Sequence, residues 1–151
     1  MALSSPGPRP APAYLRPRLV GLVVLGGTLG TALRDRLAAW WPARVGELPW
    51  TTLLVNLSGA FLLGALLQLV VLVPRDGGQR RAVQLTLGTG VLGGYTTYST
   101  FALETATLGL EGSRLMAAGY ALVTVLAGFL AAWSAMRLVR GSITAAGRDL
   151  A

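Results

Sequence analysis

Long apolar segments separated by short polar connections dominate the chain from residue 19 onward. A helix needs about 20 residues to cross a bilayer, and four segments reach that length. They cover approximately residues 19–40, 51–73, 82–108 and 114–139. This pattern predicts an all-α integral membrane protein with four transmembrane helices, multi-pass in the cell membrane. Because the connections are short, we expect sequential helices to be antiparallel neighbours.

The segments flanking this apolar region have a different character. Residues 1–18 contain five prolines and three arginines, a composition that opposes helix formation and offers little to bury. We expect a disordered Pro/Arg-rich N-terminal tail there. Residues 141–151 are expected to form a short C-terminal tail, which leaves residues 19–140 as one transmembrane domain.

Composition supports a membrane protein and argues against an enzyme. Hydrophobic residues make up 53% of the chain and charged residues 13%, about half the usual share for globular domains. Neither Cys nor His is present, which excludes zinc fingers, thiol nucleophiles and His-based acid–base chemistry. No nucleophile–base pair or phosphate-binding loop is evident either. We therefore expect no enzymatic activity.

The net charge of +7 does not indicate a nucleic-acid-binding protein. All 13 basic residues are arginine, and most of them flank the apolar segments instead of forming a stripe on one face. Nine lie in the N-terminal tail, the 74–81 loop and the C-terminal region, against four at the opposite ends of the segments. This bias favours both termini in the cytoplasm. Without the N-terminal tail the balance is six against four.

The third apolar segment contains a sequence that disfavours a continuous helix. Its centre, from Gly93 to Phe101, reads GGYTTYSTF, in which two glycines precede a run of hydroxyl residues with poor helix propensity. We predict a break in the helix here. A break frees backbone groups that lipid cannot satisfy, and broken helices at the membrane midplane often bind small ions. The alternative is a continuous helix whose hydroxyls bond to carbonyls one turn earlier.

Polar and aromatic side chains follow the expected break at helical spacing. Thr96, Thr100 and Glu104 are four residues apart, which would place them on one face. Tyr98 and Phe101 are three apart on a neighbouring face, where their positive ring edges could meet an anion. Packing in a core is the alternative for both aromatic rings.

The first and second segments contribute further polar side chains. Thr52 and Asn56 are four residues apart, and an amide in lipid offers two N–H donors, although it can also serve as an interhelical hydrogen bond. Arg34 lies near the end of the first segment, where its side chain could reach the interface. Paired small residues would allow close helix approach. These pairs are Gly26 with Gly30 and Gly90 with Gly94.

Three stretches together closely resemble the signatures of the Fluc/CrcB fluoride channels. They are GGTLGTALR at 26–34, TTLLVNLSGAFLLG at 51–64 and GTGVLGGYTTYSTFALE at 88–104. The likeness covers about residues 19–139 and includes four segments in the family's order. The run of glycines, threonines, serine, phenylalanine and glutamate in the third stretch is specific, and a lone glycine pair would not be.

The resemblance implies an architecture and an activity. Members of this family are four-helix proteins that assemble as antiparallel dimers in the membrane, and fluoride leaves the cell passively through them, which lowers cytoplasmic fluoride and its toxicity. The partner is a second copy or an oppositely oriented paralogue. A structural Na⁺, which is not transported, is held by backbone carbonyls at the broken third helices, and here these would belong to Gly93 and Thr96.

The resemblance also implies roles for individual side chains. Arg34 corresponds to a structural arginine of the first helix. The fluoride pathway would comprise Asn56, Phe101, Tyr98, Ser99, Thr100, Glu104 and Thr52. Two features depart from the family pattern. The first pore aromatic is usually Phe and here is Tyr98, and the fourth segment carries Thr124 and Gly128 where Asn and Ser are frequent.

Two other functions fit a small four-helix membrane protein. A proton-coupled drug exporter would carry an essential carboxylate in the first segment, where this chain has only Asp35 near the end. A non-transporting scaffold would tolerate volume-conserving changes at Asn56, Thr96 and Phe101. No pumping machinery is evident, so we expect passive flow through donors that replace the water around a strongly hydrated anion.

Overall fold

A computed structural model describes residues 16–44, 47–74, 76–111 and 113–148, and these stretches are helical without any strand. The protein is therefore all-α over the described residues. The tail predicted as disordered lies, for residues 1–15, outside the described residues, as do the last three residues of the predicted C-terminal tail.

Six α-helices and one π-helical segment make up the described chain. The third predicted segment corresponds to four consecutive elements, three α-helices and a π-helical segment that follows the first of them. The elements are α1 (Pro17–Trp40), α2 (Trp50–Leu72), α3 (Gly77–Val83), the π-helical segment (Gln84–Leu92), α4 (Gly93–Tyr95), α5 (Tyr98–Leu110) and α6 (Arg114–Arg148).

Two helix ends differ from the sequence-based boundaries. The predicted N-terminal tail extends to residue 18, whereas α1 begins at Pro17. Proline fits the first helical turn because its missing N–H would have no intrahelical partner there. At the other end, α6 continues to Arg148, so most of the predicted C-terminal tail is helical.

Among the described residues, two helices are long and apolar enough to cross a membrane by length and composition, Trp50–Leu72 and Arg114–Ala145. In α1, the charged residues Arg34, Asp35 and Arg36 interrupt the apolar pattern near the helix end. Large apolar side chains are exposed along the helices, for example Leu29 of α1 and Phe129 of α6. Surfaces of this kind require cover by lipid or another chain.

The helix pairing differs from the expectation of sequential neighbours. α1 packs mainly along the π-helical segment and α4, while α2 packs along α6 and touches α1 only slightly. The two partners in each pair run in the same direction. In the second pair, Ala60 lies beside Gly128, and Gly64 beside Ala132.

Glycines explain why α1 pairs with the third segment. A Cβ added to Gly26 would lie 2.6 Å from the Thr86 carbonyl oxygen, and one added to Gly90 would lie 3.0 Å from the Val23 carbonyl oxygen. Because these backbones are nearly in contact, only glycine fits without displacement. The closeness of two backbones thus decides the pairing more than loop length does.

Candidate functional site

Two residues in extended conformation separate α4 from α5. Thr96 has φ −75° and ψ 157°, and Thr97 has φ −143° and ψ 122°. The Thr97 hydroxyl accepts the N–H of Thr100 at 3.1 Å, which makes Thr97 the N-cap of α5. Threonine in an extended conformation is a favoured N-cap, so a new helix begins at Tyr98.

The Asn56 side chain of α2 forms hydrogen bonds with both backbone groups of Thr97. Its Oδ1 accepts the Thr97 N–H at 2.9 Å, and its Nδ2 donates to the Thr97 carbonyl at 3.0 Å. Thr97 is only 7% exposed, and buried backbone groups need partners. One of the donors expected from Asn56 is therefore committed to the backbone.

The same geometry diverts backbone donors that a continuous helix would use, and those of Gly93 and Thr96 show how. In a continuous helix, the Thr97 N–H would donate to Gly93 and the Thr100 N–H to Thr96. Here the first donates to Asn56 and the second to the Thr97 hydroxyl. Over the described ranges, no backbone hydrogen bond outside the regular helices reaches either carbonyl. The break thus removes the helical donors of the four carbonyls from Gly93 to Thr96, and the predicted cation ligands are the first and last of these.

A groove of about 440 Å³ runs beside the extended residues, between α2, the third segment and α6. Much of its wall is apolar. The predicted site residues that line it are Asn56, Gly93, Thr96, Tyr98 and Phe101, together with Thr124 and Gly128 of α6. α6 therefore contributes to the wall through a small residue and a buried hydroxyl that donates to its own helix.

A smaller cavity of about 130 Å³ also borders Thr97. Its lining includes Arg34, Thr52 and Thr100. Thr97 lines both cavities. Arg34 forms an ion pair with the adjacent Asp35 at 3.3 Å.

The carboxyl group of Glu104 is held by hydroxyls from two other helices. Its Oε1 accepts from the Thr52 hydroxyl at 2.8 Å, and its Oε2 accepts from the Tyr120 hydroxyl at 3.2 Å. Thr52 and Tyr120 are both buried. α2 and α6 therefore meet α5 at this carboxyl group.

Thr96 does not lie in one row with Thr100 and Glu104, as the four-residue spacing predicts. Its hydroxyl donates to the Leu92 carbonyl at 2.9 Å, and the residue lines the large groove, whereas Thr100 lines the small cavity. The expectation of a single row was wrong because the extended residues break the helical register.

Three aromatic rings are neighbours around Phe101. Its ring centroid is 6.1 Å from that of Tyr98 and 5.5 Å from that of Tyr120, with tilted planes. Tyr98 is 81% exposed. Ser99 is also exposed, with its hydroxyl 3.3 Å from that of Thr97. On this side the site is open to the surface of the single chain.

Sequence reasoning missed the contributions of Thr97, Tyr120 and the Ser58–Tyr95 pair. A threonine three residues before Thr100 at a helix start is a recognisable N-cap signal. Tyr120 is a lone tyrosine in an apolar segment, and a buried tyrosine hydroxyl usually needs a partner. The Ser58 and Tyr95 hydroxyls, 2.9 Å apart, join α2 to α4 and carry no comparable sequence signal.

Comparisons with known proteins agree on one family. The model of the family described as "CrcB-like protein, Camphor Resistance (CrcB)" matches residues 21–136. The chain is 50% identical over 125 residues to fluoride-specific ion channel FluC 1 of Cutibacterium acnes, covering 83% of this chain and 87% of the relative. It is 42% identical over 113 residues to fluoride-specific ion channel FluC 2 of Nocardia farcinica, covering 75% and 79%. Against fluoride-specific ion channel FluC 1 of Streptomyces coelicolor it is 37% identical over 126 residues, covering 81% and 80%.

Proposed function

Because this chain belongs to the CrcB-like family, we propose that it is a fluoride-selective channel that lets fluoride leave the cell passively, lowering cytoplasmic fluoride and its toxicity. The 50% identity to a fluoride-specific ion channel over most of both chains carries the proposal. Ion channels are not enzymes, which agrees with the expectation from the sequence that this chain has no enzymatic activity. The family is a membrane family, and the chain is an integral membrane protein.

We infer an arrangement in the membrane that is consistent with the helices. α1, α2, the third segment and α6 act as four spans, with the extended residues Thr96 and Thr97 interrupting the third span inside the bilayer. In lipid, the diverted carbonyls of Gly93 and Thr96 need a partner, and the exposed Tyr98 and Ser99 need cover. A second subunit in antiparallel orientation supplies that cover.

The fluoride path uses the side chains around Thr97. Hydroxyl and amide donors replace the water that a small anion loses on entry. Asn56 orients the extended backbone, and its remaining N–H is available to the ion. The other pathway residues are Thr52, Tyr98, Ser99, Thr100, Phe101 and Glu104. The positive edges of the Tyr98 and Phe101 rings attract the anion weakly enough to release it.

A structural sodium ion fits the backbone at the interruption. Carbonyl oxygens are suitable ligands for hard cations, and the helical donors of the Gly93 and Thr96 carbonyls are both diverted. These two residues would hold the ion, with matching carbonyls from the second subunit. When bound, the cation supplies a fixed positive charge at the subunit contact, while Arg34 remains a structural residue at the end of α1.

Ion flux from reconstituted vesicles tests the function. Liposomes containing the full chain and loaded with fluoride should release it, as read by a fluoride electrode, while chloride-loaded vesicles should not release chloride. Protein-free vesicles provide the background. Drug-stimulated proton flux in place of fluoride release would assign the chain to the drug exporters. Absence of any flux would support a non-transporting scaffold.

Labelling from each side of the membrane tests the antiparallel arrangement. The chain has no cysteine, so the Ser142→Cys variant would carry a single thiol, at an exposed position of α6. A membrane-impermeant reagent should label part of the population from each side if a homodimer forms in opposite orientations. Labelling from one side only would support a fixed orientation and require an oppositely oriented paralogue.

A further inference from the structure

Arginines from two elements converge on a cleft at the end of the bundle where α1 begins and α2 ends. The cleft has a volume of about 340 Å³ and lies between the start of α1 and α3. Its lining includes Arg16, Arg18 and Arg81, the carboxyl-bearing Asp76 and the apolar Leu19. None of these residues belongs to the site around Thr97.

The depth of the cleft matches the headgroup region of a bilayer. α2 has 23 residues and is therefore about 34 Å long, close to the roughly 30 Å hydrocarbon core. It ends at Leu72, and the cleft is lined in part by residues that follow within ten positions, among them Asp76, Arg81 and Ala82. The Arg137 guanidinium, near the same end of α6, lies 4.8 Å from the ring centre of Trp133, and tryptophan is typical of the membrane interface.

The charge of the cleft is strongly positive. Asp76 is the only carboxylate among the described lining residues, and its Oδ1 accepts the Gln79 N–H at 2.7 Å as the N-cap of α3. The side-chain ion pairs found in the described chain, Arg34–Asp35 and Arg44–Glu47, lie at the other end of the bundle. Among its described lining residues the cleft thus sets three arginines against one carboxylate, and Arg80, Arg137 and Arg140 add to the positive field at this end.

We propose that this cleft binds the headgroup of an anionic phospholipid. Guanidinium groups match the geometry of phosphate oxygens and can form two parallel hydrogen bonds with them. Leu19 and Ala82 line the same cleft and give it an apolar side from which acyl chains can continue along the helices. A lipid headgroup fits this combination better than a soluble phosphate, because only the lipid has acyl chains that can contact the apolar side of the cleft.

Native mass spectrometry of the full-length protein in detergent tests the site. The protein is incubated separately with phosphatidylglycerol, with phosphatidylcholine and with inorganic phosphate, and bound molecules are counted. Phosphatidylglycerol should be retained in clear excess. The Arg18→Gln/Arg81→Gln double variant should bind it at least about tenfold more weakly, since each arginine near an anionic surface is worth roughly fivefold in affinity.

A matched variant at the opposite end controls for loss of charge alone. Arg36→Gln/Arg114→Gln removes two exposed arginines outside the cleft and should retain the lipid as the unchanged protein does. If the Gln variant does not fold, Arg18→Lys/Arg81→Lys keeps the charge without the planar fork and should bind with intermediate affinity.

Three results would overturn the proposal. The first is equal retention of phosphatidylcholine and phosphatidylglycerol. The second is undiminished binding by the cleft variants. The third is saturation of the cleft by inorganic phosphate in competition with the lipid, which would assign it to a soluble anion. The readout is lipid binding and not ion flux, so its failure would leave the proposed channel function untouched.

Discussion

The two helix pairs of this protein, α2 with α6 and α1 with the third segment, differ in the regularity of their helices. α2 and α6 are regular, strongly apolar helices that pack in parallel, and both are long and apolar enough to span a membrane. The pair formed by α1 and the third segment is irregular, with π-helical turns, two extended residues and a backbone contact made by glycines. The helices of the first pair are continuous, whereas the second pair contains a helix that is interrupted at Thr96 and Thr97.

The difference shows how an interruption is held in place. The side chains that fix the third segment come largely from the regular pair. Asn56 of α2 binds the Thr97 backbone, and Thr52 of α2 with Tyr120 of α6 binds the Glu104 carboxyl group. Regular helices therefore act as a rigid frame that offsets the lost hydrogen bonds of the irregular segment.

Changing the contact between Asn56 of α2 and the Thr97 backbone should have the largest effect on fluoride efflux. In the Asn56→Asp variant, the donor to the Thr97 carbonyl becomes an acceptor, and a negative charge faces the proposed anion path. We expect fluoride efflux from vesicles to fall to the protein-free background. Gln68→Glu is a suitable control because it adds the same charge on the same helix but lines none of the cavities around Thr97. Undiminished efflux from Asn56→Asp would contradict the role assigned to Asn56.

Filling the glycine contact of the irregular pair should destabilise the fold. A Cβ on Gly30 would collide with the Val91 carbonyl and lie 2.8 Å from the Tyr95 nitrogen. Overpacking of this kind costs about 1–3 kcal/mol, so Gly30→Ala should lower the thermal unfolding midpoint in detergent by several degrees. Gly21→Ala in the same helix meets nothing within 4 Å and should leave the midpoint unchanged or raise it slightly. Equal midpoints for both variants would show that the backbone contact contributes little.

Removing one hydroxyl from the Glu104 contact should have a smaller, graded effect. Thr52→Val conserves shape but deletes the hydrogen bond to Oε1 of Glu104. An ordinary hydrogen bond contributes about 0.5–1.5 kcal/mol to stability, so the unfolding midpoint should fall by less than in Gly30→Ala. We expect fluoride efflux to slow several-fold because the Glu104 carboxyl group loses one of its two hydroxyl partners. Thr28→Val is the matched control because the Thr28 hydroxyl bonds only to its own helix, at the Val24 carbonyl. The same rate loss in both variants would argue against a specific role for Thr52.

The apolar pattern predicts the position of the helices better than their partners. The α2 boundaries agree with the predicted segment to within one residue. Pairing could not be read in the same way, since it depends on which backbones can approach, and Gly26 and Gly90 meet across 64 positions of sequence. The extension of α6 was missed because a helix that leaves the apolar region continues without an apolar signal.

The site was predictable in its residue types but not in its connections. Asn56 could be singled out because a buried amide is costly, yet its partner is the Thr97 backbone, 41 residues away. Similarly, Glu104 was identified from its spacing, whereas its contacts with Thr52 and Tyr120 arise only when three helices meet. Helical spacing failed at Thr96 because it assumes a register that the extended residues interrupt.

The cation dependence of fluoride efflux tests most directly the claim that the interruption in the third segment presents carbonyls to a metal ion. The protein is purified and reconstituted either in Na⁺ or with a larger organic cation replacing Na⁺ throughout, and efflux is then recorded with a fluoride electrode. We predict that efflux is strongly reduced without Na⁺ and recovers when Na⁺ is restored to the same preparation. Equal efflux in both salts would contradict a structural sodium at Gly93 and Thr96.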